Sequence, residues 1–215
     1  MIPIFVTGTG TDVGKTMVST ILVNTLEADY WKPVQAGLEN TDRDFVSKYK
    51  TAGTQCFDEV YRLAMPASPH IAAKSEGIQI DIAKIAEYYL SIKENAPSVK
   101  YLVIEGAGGI YVPLNDNEFV IDLIKKLNAK VILVSRNYLG SINHSMLTAA
   151  ICKAAKIDVI GWVFNGEYMN YEEEIAAWSG YPVIGKIQEI EKITRKTIYH
   201  QSLLIKKKLF ELLPQ

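Results

Sequence analysis

Apolar residues in this chain come in short unbroken runs. Ile4-Phe5-Val6, Tyr101-Leu102-Val103-Ile104, Val131-Ile132-Leu133-Val134, Val159 to Phe164 and Val183-Ile184 each end in small or polar residues. Alternating apolar and polar positions would mark a strand with one wet face. Continuous runs of this length suit strands covered by helices on both faces. Between the runs the period changes. Ile82, Ile85, Ala86, Tyr89 and Leu90 follow the i, i+3, i+4, i+7, i+8 spacing of a helix face, and Val120, Leu123, Ile124 and Leu127 continue in the same manner. This alternation predicts an α/β fold, a doubly wound, mostly parallel sheet in a single domain over residues 1–215. In such a sheet ligands collect outside the carboxyl ends of the strands.

Composition narrows the function more than the fold. With 215 residues the chain is long enough for one full α/β core. A net charge of −1 provides no basic footprint, so no nucleic-acid partner is expected. The run Lys206-Lys207-Lys208 lies among Leu203, Leu204, Ile205, Leu209, Leu212 and Leu213 and reads as a solvated helix face. Cys56 and Cys152 are far apart and lack metal-ligand spacing, so reduced thiols are expected. The apolar start before the first glycine loop is too short for a signal-peptide core. No run approaches the ~20 apolar residues needed to span a bilayer. A cytoplasmic protein without a membrane partner is the expectation.

The chemistry begins in FVTGTGTDVGKT, Phe5 to Thr16. A phosphate loop needs glycines so that backbone N–H groups turn inward, a lysine for the β/γ-phosphates and a hydroxyl for Mg²⁺. Lys15 and Thr16 supply the last two, and Val13 and Gly14 lead into them. The usual G-x-x-x-x-G-K-[ST] template would place glycine at Thr9, but Gly8 stands one residue further back. Asp12 also places a carboxylate in a loop built for anions. The preceding strand and the helix-forming run from Met17 support a nucleotide loop over a merely structural glycine turn.

Four later strand exits carry candidates. Lys32, before Pro33, is open to two readings: a reactive lysine at a strand end or a surface lysine on an edge strand. In Asn40-Thr41-Asp42-Arg43-Asp44, Asp42 or Asp44 is either a metal ligand or a helix-cap carboxylate. Glu105 follows a buried-looking strand, where nucleotide-hydrolysing folds hold Mg²⁺. Gly106, Gly108 and Gly109 then permit close backbone approach. Gly140, Ser141 and Asn143 open a helix that either binds a carboxylate or is simply capped. Asn165 is a base-reading amide or a turn residue. His70 and His144 lack metal spacing and read as structural.

Together these strings resemble one family, the dethiobiotin synthetases. The match rests on Val6-Thr7-Gly8, Thr11-Asp12-Val13-Gly14-Lys15-Thr16, Lys32-Pro33-Val34 and Ser68-Pro69-His70. Glu105-Gly106-Ala107-Gly108-Gly109, Asn143-His144-x-Met146-Leu147-Thr148 and Gly161-Trp162-Val163-x-Asn165 complete it, in order from residue 5 to about 165. The resemblance implies a P-loop NTPase fold and a homodimeric, ATP- and Mg²⁺-dependent cyclo-ligase of biotin biosynthesis. Such an enzyme carboxylates 7,8-diaminopelargonate (7,8-diaminononanoate) with CO₂, supplied as bicarbonate, and closes the ureido ring with release of ADP and phosphate. It further implies that Lys15 and Lys32 hold the phosphate and the carbamate, and that Thr11 orients the γ-phosphate. Thr16, Asp42 and Glu105 would serve the metal. Gly108 and Gly109 would approach the substrate region, Asn165 the base, and the Gly140–Asn143 helix start the substrate carboxylate across the dimer interface.

Two departures from the family pattern stand out. Ala36 replaces a common serine, and Gln188 follows Gly185-Lys186-Ile187 where proline is usual. The second predicts looser nucleobase recognition, with other nucleoside triphosphates accepted. Asp12 is expected to face the diamine rather than the phosphates, since a carboxylate attracts ammonium groups. The alternative reading is a regulatory ATPase of the partitioning type. Those proteins carry a second lysine five residues before the loop lysine, and here that residue is Gly10.

Overall fold

The computed structural model describes residues 1–213; the last two positions of the expected 1–215 domain lie outside the described residues. In chain order the elements are β1 (Ile2–Gly8), α1 (Lys15–Leu26), β2 (Asp29–Trp31), β3 (Val34–Ala36) and α2 (Asp42–Tyr49). There follow β4 (Cys56–Phe57), β5 (Tyr61–Leu63), α3 (Pro69–Ser75), α4 (Ile82–Asn95), β6 (Tyr101–Gly109) and α5 (Val120–Lys126). The chain continues with β7 (Lys130–Arg136), α6 (Ser141–Ala154), β8 (Val159–Asn165), α7 (Glu172–Ser179), β9 (Val183–Ile187) and α8 (Arg195–Leu212). Seven strands form one parallel sheet in the order β4-β2-β6-β1-β7-β8-β9.

The continuous apolar runs are explained by two cores, one on each face of this sheet. Successive residues of a strand point to opposite faces. Accordingly Phe5, Trp31, Leu102, Ile104, Val131 and Leu133 join one cluster with residues of α4 and α5. Ile4, Val6, Tyr30, Val103, Ile132 and Val134 join the other with residues of α1 and α8. Each such side chain contributes roughly 1.5–3 kcal/mol on burial, so both faces must be covered.

β1 lies between β6, reached on one side, and β7, reached on the other. The crevice at this change of direction opens above the carboxyl end of β1, where the glycine loop sits. Register then delivers the other groups. Trp31 pairs with Ile104, so Lys32 leaves β2 level with Glu105 on β6. Val6 pairs with Glu105 and Gly8 with Gly109, so β6 uses four residues where β1 uses two. This bulge carries the Glu105–Gly109 segment against the loop.

Three features depart from the pattern-based expectation. The Gly106–Gly109 stretch, expected to follow the carboxyl end of the strand, remains within β6. Val34–Ala36 forms a separate two-stranded parallel sheet with β5 instead of a plain strand end, because Pro33 interrupts the ladder and the chain re-pairs beyond it. The short helices α3 and α7 had no usable period.

Candidate active site

Every element of the site stands at a strand exit. α1 starts directly after Gly14, whose φ of 92° is left-handed. A side chain there would strike the amide of Asn165, so glycine is required both for the backbone and for the space. Lys15, 8% exposed, directs its ammonium at the Gly10 carbonyl 2.8 Å away. Burial draws its pKa below the ordinary 10.5, against the pull of Glu105 and with the help of Lys32's charge.

Opposite the loop, four groups converge. Lys32 Nζ lies 2.7 Å from Asp42 Oδ2 and 3.4 Å from Glu105 Oε1. The Thr16 hydroxyl is 2.9 Å from Glu105 Oε1 and also touches Asp42 Oδ1. Tyr30 donates its hydroxyl to Glu105 Oε2 at 2.9 Å. Burial alone would lower the Lys32 pKa, but Glu105 and Asp42 together outweigh it and raise it above 10.5. Asp42 stands below its ordinary value: burial opposes this, and the charge and hydrogen bond of Lys32 overcome it.

The choice left open between Asp42 and Asp44 is decided by α2. The Asp44 carboxylate accepts the Thr41 hydroxyl at 2.7 Å while its backbone N–H donates to Thr41 Oγ1, closing the helix start. Asp42 turns to Lys32 and Thr16 instead. Lys32 is 5% exposed, so the edge-strand surface reading does not hold. Tyr30 was missed, although it stands two residues before Lys32 on the same face of β2, which was the available signal.

A cavity of about 820 Å³ runs from this cluster past Thr11, Asp12, Gly14, Gln35, Ala36 and Gly108 to Ser68 and Pro69. A second, of about 450 Å³, is bounded by Asp12, Met17, Arg136, Asn165, Gly166, Ile187 and Gln188. Asp12, with φ 56°, belongs to both. Gly108 (φ 67°) lies where a Cβ would press on Val112, 2.7 Å away. Gly106 and Gly109 border neither cavity: Gly106 makes room for the Phe5 ring, and Gly109 lets β6 approach Gly8. They are packing glycines, not wall residues. Val13 is buried beneath the loop, and its carbonyl accepts the Asn165 side-chain amide.

At the start of α6, Gly140 (φ 102°) is an N-cap without a side-chain hydrogen bond. Ser141 is wholly buried and its N–H donates to the Tyr138 carbonyl. The N–H groups open to a ligand are therefore those of Ile142 and Asn143, which have no intrahelical acceptor. Expected as a direct ligand contact, Ser141 is instead a building piece of the turn.

The residues fit a magnesium ion. Thr16, Asp42 and Glu105 bring four oxygens together around one hydroxyl proton and one ammonium, an excess of hard donors. Among the described residues no group of three or more His, Cys, Asp or Glu side chains gathers as a metal cluster. Two carboxylates and a hydroxyl that line an open cavity match the preference of Mg²⁺ for mixed protein and phosphate ligands.

A glycine loop opening a helix at the switch point, with lysine, threonine and acidic residues converging on it, defines a P-loop nucleotide-binding protein. In agreement, a family described as AAA domain matches residues 3–197. The fold is shared with a chain of an Aquifex aeolicus MinC:MinD cell division protein complex, at TM-score 0.60 and 15% identity over 100% of this chain and 98% of that one. It is shared as well with a Pyrococcus horikoshii MinD, at TM-score 0.59 and 15% identity over 98% of this chain and 95% of that one. In sequence the chain is 47% identical to the ATP-dependent dethiobiotin synthetase of Cytophaga hutchinsonii over 90% of this chain and 92% of the relative. It is 42% identical to that of Christiangramia forsetii, over 97% and 98%. The chain belongs to the dethiobiotin synthetase family.

Proposed function

We infer that the chain is an ATP-dependent ligase that closes the ureido ring of dethiobiotin from a vicinal diamine, 7,8-diaminononanoate, and CO₂. The observation that carries this reading is the convergence of Lys15, Lys32, Asp42 and Glu105 at one end of a cavity that continues well beyond the phosphate loop. A simple nucleotide hydrolase needs the loop and an acid; it has no use for a buried second lysine and an extended cavity beside them. One amine of the substrate takes up CO₂, losing a proton and forming a carbamate. A carbamate oxygen attacks the γ-phosphorus, ADP leaves, and a mixed anhydride results. The second amine then attacks the carbonyl carbon, and expulsion of phosphate closes the ring.

Each step builds negative charge on oxygen, so fixed positive groups in a dry site are the effective means of catalysis. Lys15 holds the transferring phosphate, and Lys32 leaves its carboxylates to hold the carbamate. Thr11 orients the γ-phosphate from the loop. Mg²⁺, held by Thr16, Asp42 and Glu105, would supply positive charge to phosphate oxygens. Gly14 and Gly108 supply close backbone approach, and Asn165 with Gln188 borders the base. The substrate carboxylate binds the open N–H groups at the start of α6 in a homodimer, from the partner subunit. Among the described residues no helix is long and apolar enough to cross a membrane; a cytoplasmic setting and small-molecule partners belong to the same proposal.

Phosphate release in the presence of Mg²⁺, bicarbonate and ATP tests the reading. Release that depends on the diamine is expected, with dethiobiotin formed in equal amount. Release without any response to the diamine would return the chain to the regulatory ATPases.

A further inference from the structure

The loop before α6 is held by a polar assembly that no step of the reaction uses. Tyr138 N–H donates to the Ser141 hydroxyl (3.3 Å), that hydroxyl lies 2.6 Å from the Tyr171 hydroxyl, and Tyr171 donates to the Tyr138 carbonyl at 3.1 Å. The three bonds close a ring that fixes the turn leading to Gly140. One residue upstream, Asn137 is 3% exposed and donates its side-chain amide to Glu172 Oε1 at 2.9 Å. The same Glu172 oxygen takes Lys186 Nζ at 2.8 Å, and Lys186 also donates to Asn170 at 3.0 Å.

Lys186 immediately precedes Ile187 and Gln188, which border the second cavity. Glu172 therefore ties the strand beneath the nucleoside cavity to the loop whose helix presents the Ile142 and Asn143 N–H groups. Burial pushes the Glu172 carboxyl up, but the hydrogen bonds of Lys186, of its own backbone and of Asn137, together with the Lys186 charge, outweigh it, so the group stands below its ordinary value. A paired, hydrogen-bonded carboxylate in this position is costly to disrupt and holds both partners in one arrangement.

We propose that Glu172, anchored by Lys186, is a positioning residue that sets the 137–141 loop for recognition of the substrate's carboxylate. The inference rests on the reading that this carboxylate binds at the start of α6. Glu172 touches neither nucleotide nor diamine; it acts through Asn137. Its loss loosens the turn without changing the reacting groups.

The test compares 7,8-diaminononanoate with 2,3-diaminononane, the same vicinal diamine without the carboxylate, as substrates of the full chain. In Glu172→Ala the KM for the carboxylated diamine should rise about tenfold, the scale of one hydrogen bond to a charged group. Its kcat, the KM for ATP and the kcat/KM for 2,3-diaminononane should remain as in the wild type. Lys186→Met should show a smaller shift of the same kind, and Lys186→Arg should behave as wild type. If the wild type does not distinguish the two diamines, the carboxylate reading falls and takes this inference with it. If it does distinguish them and Glu172→Ala keeps the discrimination, the positioning role is overturned while the carboxylate reading stands. Equal loss on both diamines together with a raised KM for ATP also overturns it, as general destabilisation. Should Glu172→Ala not fold, Lys186→Met carries the same comparison, since it leaves the Asn137–Glu172 bond in place.

Discussion

The ammonium of Lys32 stands 2.7 Å from the carboxylate of Asp42. With Glu105 on its other side, it holds two acidic groups that would otherwise repel one another in a buried site. The same charge that a nucleotide-bound metal would bring is thus present within the chain. Under the proposed reaction Lys32 would serve two states, first as counterion and then as carbamate ligand.

This relationship gives the first prediction. Lys32→Ala should lower turnover by at least about a hundredfold, as does loss of a single group that stabilises transition-state charge. It should also cost on the order of 3 kcal/mol in stability, because a buried ion cluster has lost one sign. Millimolar Mg²⁺ should restore much of the melting temperature and none of the activity. Thermal melting with and without Mg²⁺, beside a turnover assay, checks both. A variant that is active, or whose melting does not respond to Mg²⁺, contradicts the dual role.

The pH dependence of stability follows from the two shifted groups. Asp42 has a folded pKa below its ordinary 3.8. The unfolded chain therefore takes up the proton first, and the stabilisation is full above about pH 4 and lost as pH falls through the folded value. Lys32 is shifted above 10.5, so its share is full below that pH and is lost as pH rises through the folded value. Denaturant titrations from pH 7 to 3 should show an acid-sensitive increment in the wild type that is missing in Asp42→Asn. Identical acid limbs would count against the coupling.

Asp12 offers a test of the loop. Its φ of 56° is one that asparagine also tolerates, so Asp12→Asn removes charge without straining the turn. The KM for the diamine should rise severalfold and that for ATP should not rise. An unchanged diamine KM would leave the carboxylate without a part in substrate binding, even though it borders both cavities.

Nucleobase choice should be relaxed. The Gln188 N–H is taken by Gln201 at 3.2 Å and the Asn165 amide by the Val13 carbonyl. With both of these groups engaged inside the protein, GTP at saturation should support turnover within about tenfold of ATP, a difference of about 1.4 kcal/mol. Parallel assays with the two nucleotides decide it; strict dependence on ATP overturns it.

Much of this protein is written locally along the chain. The five long strands of the main sheet are unbroken apolar runs because both their faces are buried. The glycine loop, Lys15 and Thr16 depend on neighbours in sequence and are legible there. The short elements were not: α3 and α7 run for 7 and 8 residues, and β3 and β5 for 3 each, too few turns or alternations to establish a period.

The composition of the cluster was decided by contacts no local pattern carries. Thr16 meets Asp42 across 26 residues of sequence and Glu105 across 89. Whether Asp42 or Asp44 faced the site depended on how α2 sits beside β2. Whether Lys32 was buried depended on the β2–β6 register, and Ser141 became a structural hydroxyl only because α7 brings Tyr171 beside it. The sequence by itself determined which chemical groups are available and the elements that end in them. Only the tertiary structure decided which of those groups meet, because register and helix orientation are set by the packing of two whole cores.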